Sequence, residues 1–389
     1  MKKFFALVLA LVMAMSLTTV AWGAPPALDS YDPATGVATV YDLTLTPPPS
    51  DPNSHGTITV SDKDGLLNLT NLVNDWAALF SDGTGTTYTN YHNGKGADYY
   101  YDWTWKIVLT AEIDFGGATI DPINLGQKLI FDGQGHTIKN AVITTDSTTE
   151  NEAGLFVGNY CGFTNLKLDN IHVTGSNVGN STVGVLSGSC NKAISNVTIT
   201  NSSATNGKYT GGVVGYGYTS ITNCSAVNCT VKGGYKLGGL IGYICASGGN
   251  TADVTGNTLT DCTVDGIGGG IFAGGKTEYK VGMLVGNYNA DGDCGGNAVT
   301  DMTTSATEMI GEVEANITVN ESSANTESTT PPAPTPSVPV YPYIPPVVED
   351  TTDKDVTSAQ TFDAGIALYV GVSVLGAMGT VALSKKRED

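Results

Sequence analysis

Between residues 154 and 302 short runs of apolar and polar positions recur in phase along the chain. Asn165-Leu166-Lys167-Leu168-Asp169-Asn170-Ile171 aligns with Asn196-Val197-Thr198-Ile199-Thr200-Asn201-Ser202 and with Asn223-Cys224-Ser225-Ala226-Val227-Asn228-Cys229. It aligns also with Gly256-Asn257-Thr258-Leu259-Thr260-Asp261-Cys262 and Gly296-Asn297-Ala298-Val299-Thr300-Asp301-Met302. In each unit the second, fourth and seventh positions are mostly apolar or small, the third is polar, and the first and sixth are Asn, Asp or Gly. Because side chains alternate between the two faces of a strand, this predicts short strands that end in residues tolerating positive φ.

A second pattern runs in step with the first. Gly154-Leu155-Phe156-Val157-Gly158, Gly184-Val185-Leu186-Ser187-Gly188, Gly211-Gly212-Val213-Val214-Gly215, Gly238-Gly239-Leu240-Ile241-Gly242 and Gly282-Met283-Leu284-Val285-Gly286 begin 30, 27, 27 and 44 residues apart. A unit of this length cannot bury a core alone, so its neighbours must cover it. The pattern therefore predicts an all-β parallel solenoid with equivalent residues ~4.8 Å apart in adjacent coils. Asn165, Asn196 and Asn223 would form one ladder, and Asn170, Asn201, Asn228, Asp261 and Asp301 another. A β-sandwich with Gly-rich turns is the alternative, although it demands no such phase.

The flanks have their own periods. Leu66 to Phe80 has apolar residues at helical spacing with Asp64 placed as N-cap, predicting an amphipathic cap over the first coil. Lys2 and Lys3 precede the apolar run Phe4–Leu17, and Ala21-Trp22-Gly23-Ala24 offers a cleavage site, which predicts a signal peptide. Ala364 to Leu383 is an uncharged stretch of membrane-spanning length, followed by Lys385, Lys386 and Arg387, which would stay cytoplasmic. Pro331 to Pro346 is proline-rich and predicts a stiff stalk. The division is a signal peptide at 1–23, an N-terminal segment at 24–63, and a helical cap with lead-in strand at 64–105. The solenoid follows at 106–318, a Thr/Pro-rich stalk at 319–357 and an anchor at 358–389.

Two resemblances attach to these residues. The glycine segments from Gly154 onward, with Phe131-Asp132-Gly133-Gln134-Gly135-His136-Thr137-Ile138-Lys139-Asn140 and Leu109-Thr110-Ala111-Glu112-Ile113-Asp114 before them, resemble the GLUG motif arrays of bacterial surface proteins. That resemblance implies a right-handed parallel β-helix and a cell-surface setting, and it carries no catalytic motif. Ser358-Ala359-Gln360-Thr361-Phe362, with the span and basic tail, resembles the cell-wall sorting signal of Gram-positive surface proteins, Thr361 standing where a sortase cuts. The usual Leu-Pro start is absent and Phe362 replaces glycine, so a plain C-terminal membrane anchor remains the alternative.

Charge narrows the partners. The formal net charge is −19, and Arg387 is the sole arginine, so nothing in the body can clamp phosphates bidentately and no nucleic-acid partner is expected. The four histidines, His55, His92, His136 and His172, lie far apart, and Asp291-Gly292-Asp293 lacks the further ligands of a Ca²⁺ loop, so no metal or cofactor is expected. Seven cysteines, an odd number, lie within the array, and buried free thiols are the favoured state. A β-helix lyase usually works with an arginine or lysine base, and the array has no arginine. The nearest carboxylate pair, Asp261 and Asp301, falls in a column of turn residues.

Aromatic residues are the remaining candidates. Tyr99, Tyr101, Trp103 and Trp105 alternate on one strand face, and Tyr160, Tyr216, Tyr243 and Tyr288 each follow a repeat glycine by one or two residues. Aromatic faces stack on sugars and proteins alike, so these four tyrosines are the binding candidates. The expectation is a monomeric, non-enzymatic, adhesin-like surface protein that binds a neutral glycan or a host or wall protein. A polysaccharide-degrading enzyme and a purely structural spacer are the alternatives.

Overall fold

The computed structural model describes residues 29–32, 37–46, 56–80, 105–125, 129–145, 151–158, 160–176, 178–245, 251–266, 280–314, 318–320 and 323–328. All fall within Met1–Ala333, one of two units into which the chain divides. The signal peptide, the proline-rich stretch, Thr361, the apolar span and Tyr99, Tyr101 and Trp103 lie outside the described residues.

The phased strands pair as the repeat requires. Phe131, Phe163, Ile194, Ile221 and Val254 are successive parallel partners. So are Ile138, Leu168, Ile199, Ala226, Leu259 and Val299. A second, six-stranded sheet carries the column Ile123, Phe156, Ser187, Val214, Ile241 and Val285. Each column is one residue per coil, which makes the molecule a parallel β-solenoid. These residues are buried, all but Ser187 in one continuous hydrophobic core, where the tilted rings of Phe131, Phe156 and Phe163 pack with centroids 4.9 to 6.1 Å apart.

The polar positions make the corners. Asn165, Asn196 and Asn223 adopt φ of 52°, 54° and 53°, and the column continues with Gly256 and Gly296 at 65° and 68°. Asn140, Asn170, Asn201, Asn228, Asp261 and Asp301 form the other left-handed column, with φ between 51° and 57°. Asn, Asp and Gly pay the least for that conformation, so both columns are set by backbone shape. The amide ladder is discontinuous: Asn228 Nδ2 donates to Asn201 Oδ1 (2.8 Å), but Asn201 Nδ2 turns to Asp169 Oδ1 (2.8 Å).

One ladder lies where apolar residues were expected. At the inward second position Leu166 and Val197 give way to Cys224 and then Asn257 and Asn297, both buried. Asn257 Nδ2 donates to Asn297 Oδ1 (3.0 Å) and Asn297 Nδ2 to Asn325 Oδ1 (3.1 Å), so the buried amides satisfy one another.

The glycine segments are tight bends joining the two sheets. A Cβ on Gly211 would fall on the carbonyl oxygens of Val214 and Leu240, and one on Gly215 would strike Val183 N and Tyr209 O. Bare backbone is needed because the strands on either side of the bend pass in contact.

At the start of the solenoid the helix spans Lys63–Phe80, and its N-cap is Asp62, whose Oδ1 accepts Gly65 N–H at 2.8 Å. Asp64 lies inside the first turn. Leu66, Leu69 and Leu72 are fully buried in the common core, and Asn124 N–H donates to Thr70 Oγ1 (3.0 Å). The segment before the helix is also structured: Thr57–Val60 pairs parallel with Trp105–Leu109, and Leu43–Thr46 and Ala38–Val40 add antiparallel strands. The sheet thus extends past the first coil. Among the described residues no helix is long and apolar enough to cross a membrane.

Candidate functional site

The bend at Gly211–Gly215 and its successor at Gly238–Gly242 decide where the candidate tyrosines stand. Tyr216 and Tyr243 occupy the first position after the bend and are in-register neighbours on adjacent coils, with centroids 5.5 Å apart at 61°. On the other limb, two residues before the bend, Tyr209 and Lys236 are likewise in register. Because the bend is closed by glycines, the limbs present these side chains to each other. Tyr209 stacks on Tyr216 at 5.8 Å and 22°, and lies 5.1 Å from Tyr243. Tyr218 meets Tyr216 edge-on, their hydroxyls 3.2 Å apart, and Tyr235 flanks Tyr209 at 6.3 Å.

This face is partly exposed at Tyr209, Tyr216, Tyr218 and Tyr243. Burial pushes the Tyr216 and Tyr243 phenols up, so both stay protonated donors at neutral pH. Asn289 Nδ2 donates to Tyr243 Oη at 3.0 Å. Lys236 is buried, its Nζ 3.5 Å from the Tyr243 ring centre and 3.5 Å from Glu314 Oε1. Such a surface can offer ring faces, neutral donors and acceptors, and one cation already paired.

The other candidates fall elsewhere. Tyr288 is fully buried and its hydroxyl donates to Ala252 O. It stands one residue beyond Asn287, the in-register partner of Tyr243, so strand alternation turns it inward and removes it from the exposed row. Tyr160 is 53% exposed but belongs to another surface, just before Cys161–Thr174. There it borders a hollow of about 480 Å³ with Ile130, Gly162, Thr164, Lys192 and Ser195. The four tyrosines therefore do not form one track. Trp105 is buried with Ile107 and Leu109, so that end of the alternating aromatic row belongs to the core.

Other groups have structural partners. His172 bonds Ser203 Oγ and Asn170 Oδ1, both at 2.9 Å. Asp291 Oδ1 accepts Thr318 N–H (2.9 Å). Among the described residues no three His, Cys, Asp or Glu side chains gather as a metal site. All seven cysteines are free thiols, six of them buried, and burial pushes Cys190 and Cys224 up to about 11.

Tyr209, Tyr218 and Tyr235 were missed from sequence. The available signal was phase: Thr182, Tyr209, Lys236 and Lys280 each stand two residues before a repeat glycine.

No protein-family model matches the chain, and no curated protein matches it. A solved structure described as a candidate immunoglobulin A1 protease from Bacteroides ovatus is similar over 72% of this chain and 84% of its own, at 14% identity and a TM-score of 0.40. At that level the likeness carries no argument about activity.

Proposed function

We propose that this is a non-enzymatic, adhesin-like display protein whose GLUG-type solenoid binds an extended neutral glycan of a host or wall surface across Tyr209, Tyr216, Tyr218 and Tyr243. The supporting observation is the register of Tyr216 with Tyr243, which repeats a ring at the coil spacing beside neutral hydrogen-bond donors. Sugar rings stack on such faces while their hydroxyls meet phenols and amides. The acidic, arginine-poor chain disfavours sulfated or uronic-acid polymers.

The same reading has the chain exported by residues 1–23, held out by the proline-rich stalk and retained by residues 358–389, with helix Lys63–Phe80 shielding the first coil. If a sortase acts, Thr361→Ala moves the protein from the wall to the membrane fraction; with a plain anchor the fractions are unchanged.

One observation favours the enzyme alternative. Glu312 and Glu314 lie beside the tyrosine face and both accept Asn287 Nδ2, at 2.6 and 3.1 Å. Each is also ion-paired, with Lys280 (3.2 Å) and Lys236 (3.5 Å), so both carboxylates are already engaged.

The test is a neutral-glycan array with a polysaccharide-degradation assay beside it. Weak, salt-insensitive binding is expected, lost in the Tyr216→Ala/Tyr243→Ala double variant while the β-sheet dichroism remains. Binding that salt abolishes, binding indifferent to the double variant, or glycan cleavage would overturn the proposal.

A further inference from the structure

At the rim of the tyrosine face, Lys236 and Asn287 meet on one carboxylate, that of Glu314. The Lys236 side chain is only 6% exposed, and its Nζ lies 3.5 Å from Glu314 Oε1. The same oxygen accepts Asn287 Nδ2 at 3.1 Å, so one carboxylate oxygen bridges a lysine nitrogen and an amide nitrogen. Asn287 is fully buried, and its Oδ1 has no hydrogen-bond partner among the described residues. A buried carbonyl left without a donor is unfavourable, and a second acceptor for the nitrogen, Glu312 Oε2 at 2.6 Å, holds the amide in that orientation instead of letting Oδ1 find a donor.

The fold makes this meeting. Lys236 stands two residues before one bend and Asn287 one residue after the next, in the row that continues Tyr216 and Tyr243. The Tyr243 ring lies 3.5 Å from Nζ and shields it from water.

We propose that Lys236 and Asn287 condense into an intramolecular amide, with Glu314 as the proton carrier. The ammonium gives a proton to Glu314 Oε1, and the freed lone pair on Nζ adds to Cγ of Asn287 as the carbonyl electron pair moves onto Oδ1. When the carbonyl re-forms, the Cγ–Nδ2 bond breaks. Nδ2 takes a second proton from Nζ and then the one held by Glu314, and leaves as ammonium. An ammonium and a primary amide become a secondary amide and a free ammonium; nothing is oxidised and no co-reactant is consumed. Lys280 is the neighbouring lysine, but its side chain is 28% exposed and its partner is Glu312, which marks Lys236 as the nucleophile. Glu314 is a catalytic residue here in the strict sense, since it touches both reacting nitrogens. The product ties one limb of a bend to the opposite limb of the next coil.

The experiment is intact-mass and tryptic-map analysis of the full chain, with its termini located in the same map. The expected result is a mass short by one ammonia, a branched peptide joining Lys236 to Asn287, and no cleavage after Lys236 in the denatured protein. The deficit should vanish in Lys236→Arg, which keeps the charge over Tyr243, and build up more slowly in Glu314→Gln. Full mass with normal cleavage after Lys236 would overturn the proposal, and needs no variant to fold. A deficit that survives Lys236→Arg, as a succinimide at Asn287 would, also overturns it, as does a branch at Lys280.

Discussion

Asp132 ties three successive coils together at a single carboxylate. It is buried, yet it accepts Gln134 N–H (3.0 Å) within its own turn, pairs with Lys106 (2.5 Å) on the preceding coil and accepts Asn165 Nδ2 (3.1 Å) from the next. Burial raises its pKa, but the bonds from Lys106, Gln134 and Asn165 outweigh that and hold it below the usual carboxylate range. A depressed folded-state pKa stabilises the fold above the unfolded value of about 4, and that contribution is lost below it, as pH falls through the lower folded-state value. Asp132→Asn should therefore lower unfolding stability at neutral pH by roughly 1–3 kcal/mol, the worth of charge-assisted bonds. Urea titrations across pH should show the gap to the parent closing on acidification; a gap independent of pH would contradict this account.

At the scale of the element, helix Lys63–Phe80 separates two kinds of contribution. Leu69 is fully buried among solenoid residues, so Leu69→Ala should cost about 2–5 kcal/mol through lost transfer energy and the cavity left behind. Asp62→Ala should cost about 1 kcal/mol, because Gly65 N–H loses its acceptor. Asp64→Ala should cost far less than either. Thermal melts of the three variants would check the order, and a larger effect at Asp64 than at Asp62 would reverse the cap assignment. The strands before the helix matter to the sheet for a different reason. Thr57–Val60 and its antiparallel neighbours occupy an edge that would otherwise be open to another chain.

For the whole molecule the consequence of one residue per coil is modularity. Gly211 and Gly238 are in-register partners, so deleting Gly211 to Leu237 rejoins the chain with its columns aligned. That variant should keep its β-sheet dichroism with a modest loss of melting temperature, because each coil touches only its neighbours. Deleting Gly211 to Asn223 removes half a coil and misaligns every later column. It should aggregate or lose the β signal, and equal behaviour of the two deletions would argue against the solenoid packing.

The coil stacking, the inward apolar columns and the left-handed Asn and Asp corners were all legible in the sequence. Contacts in a solenoid join residues one repeat apart, and backbone shape restricts which residues can stand at a corner, so phase and residue type carry the information. Asn257, Asn297 and Asn325 were not legible as a buried ladder, because an amide suits the interior only when its neighbours in space supply donors and acceptors. The inward turn of Tyr288 could have been read from the sequence, because Tyr288 stands two residues after its repeat glycine where Tyr216 and Tyr243 stand one, and strand alternation puts it on the other face. The meeting of Tyr209 with Tyr216, and of Lys236 with Asn287 through Glu314, was decided by tertiary structure alone: bare glycine backbones let two strands pass in contact, and only that closeness sets the side chains of opposite limbs against each other.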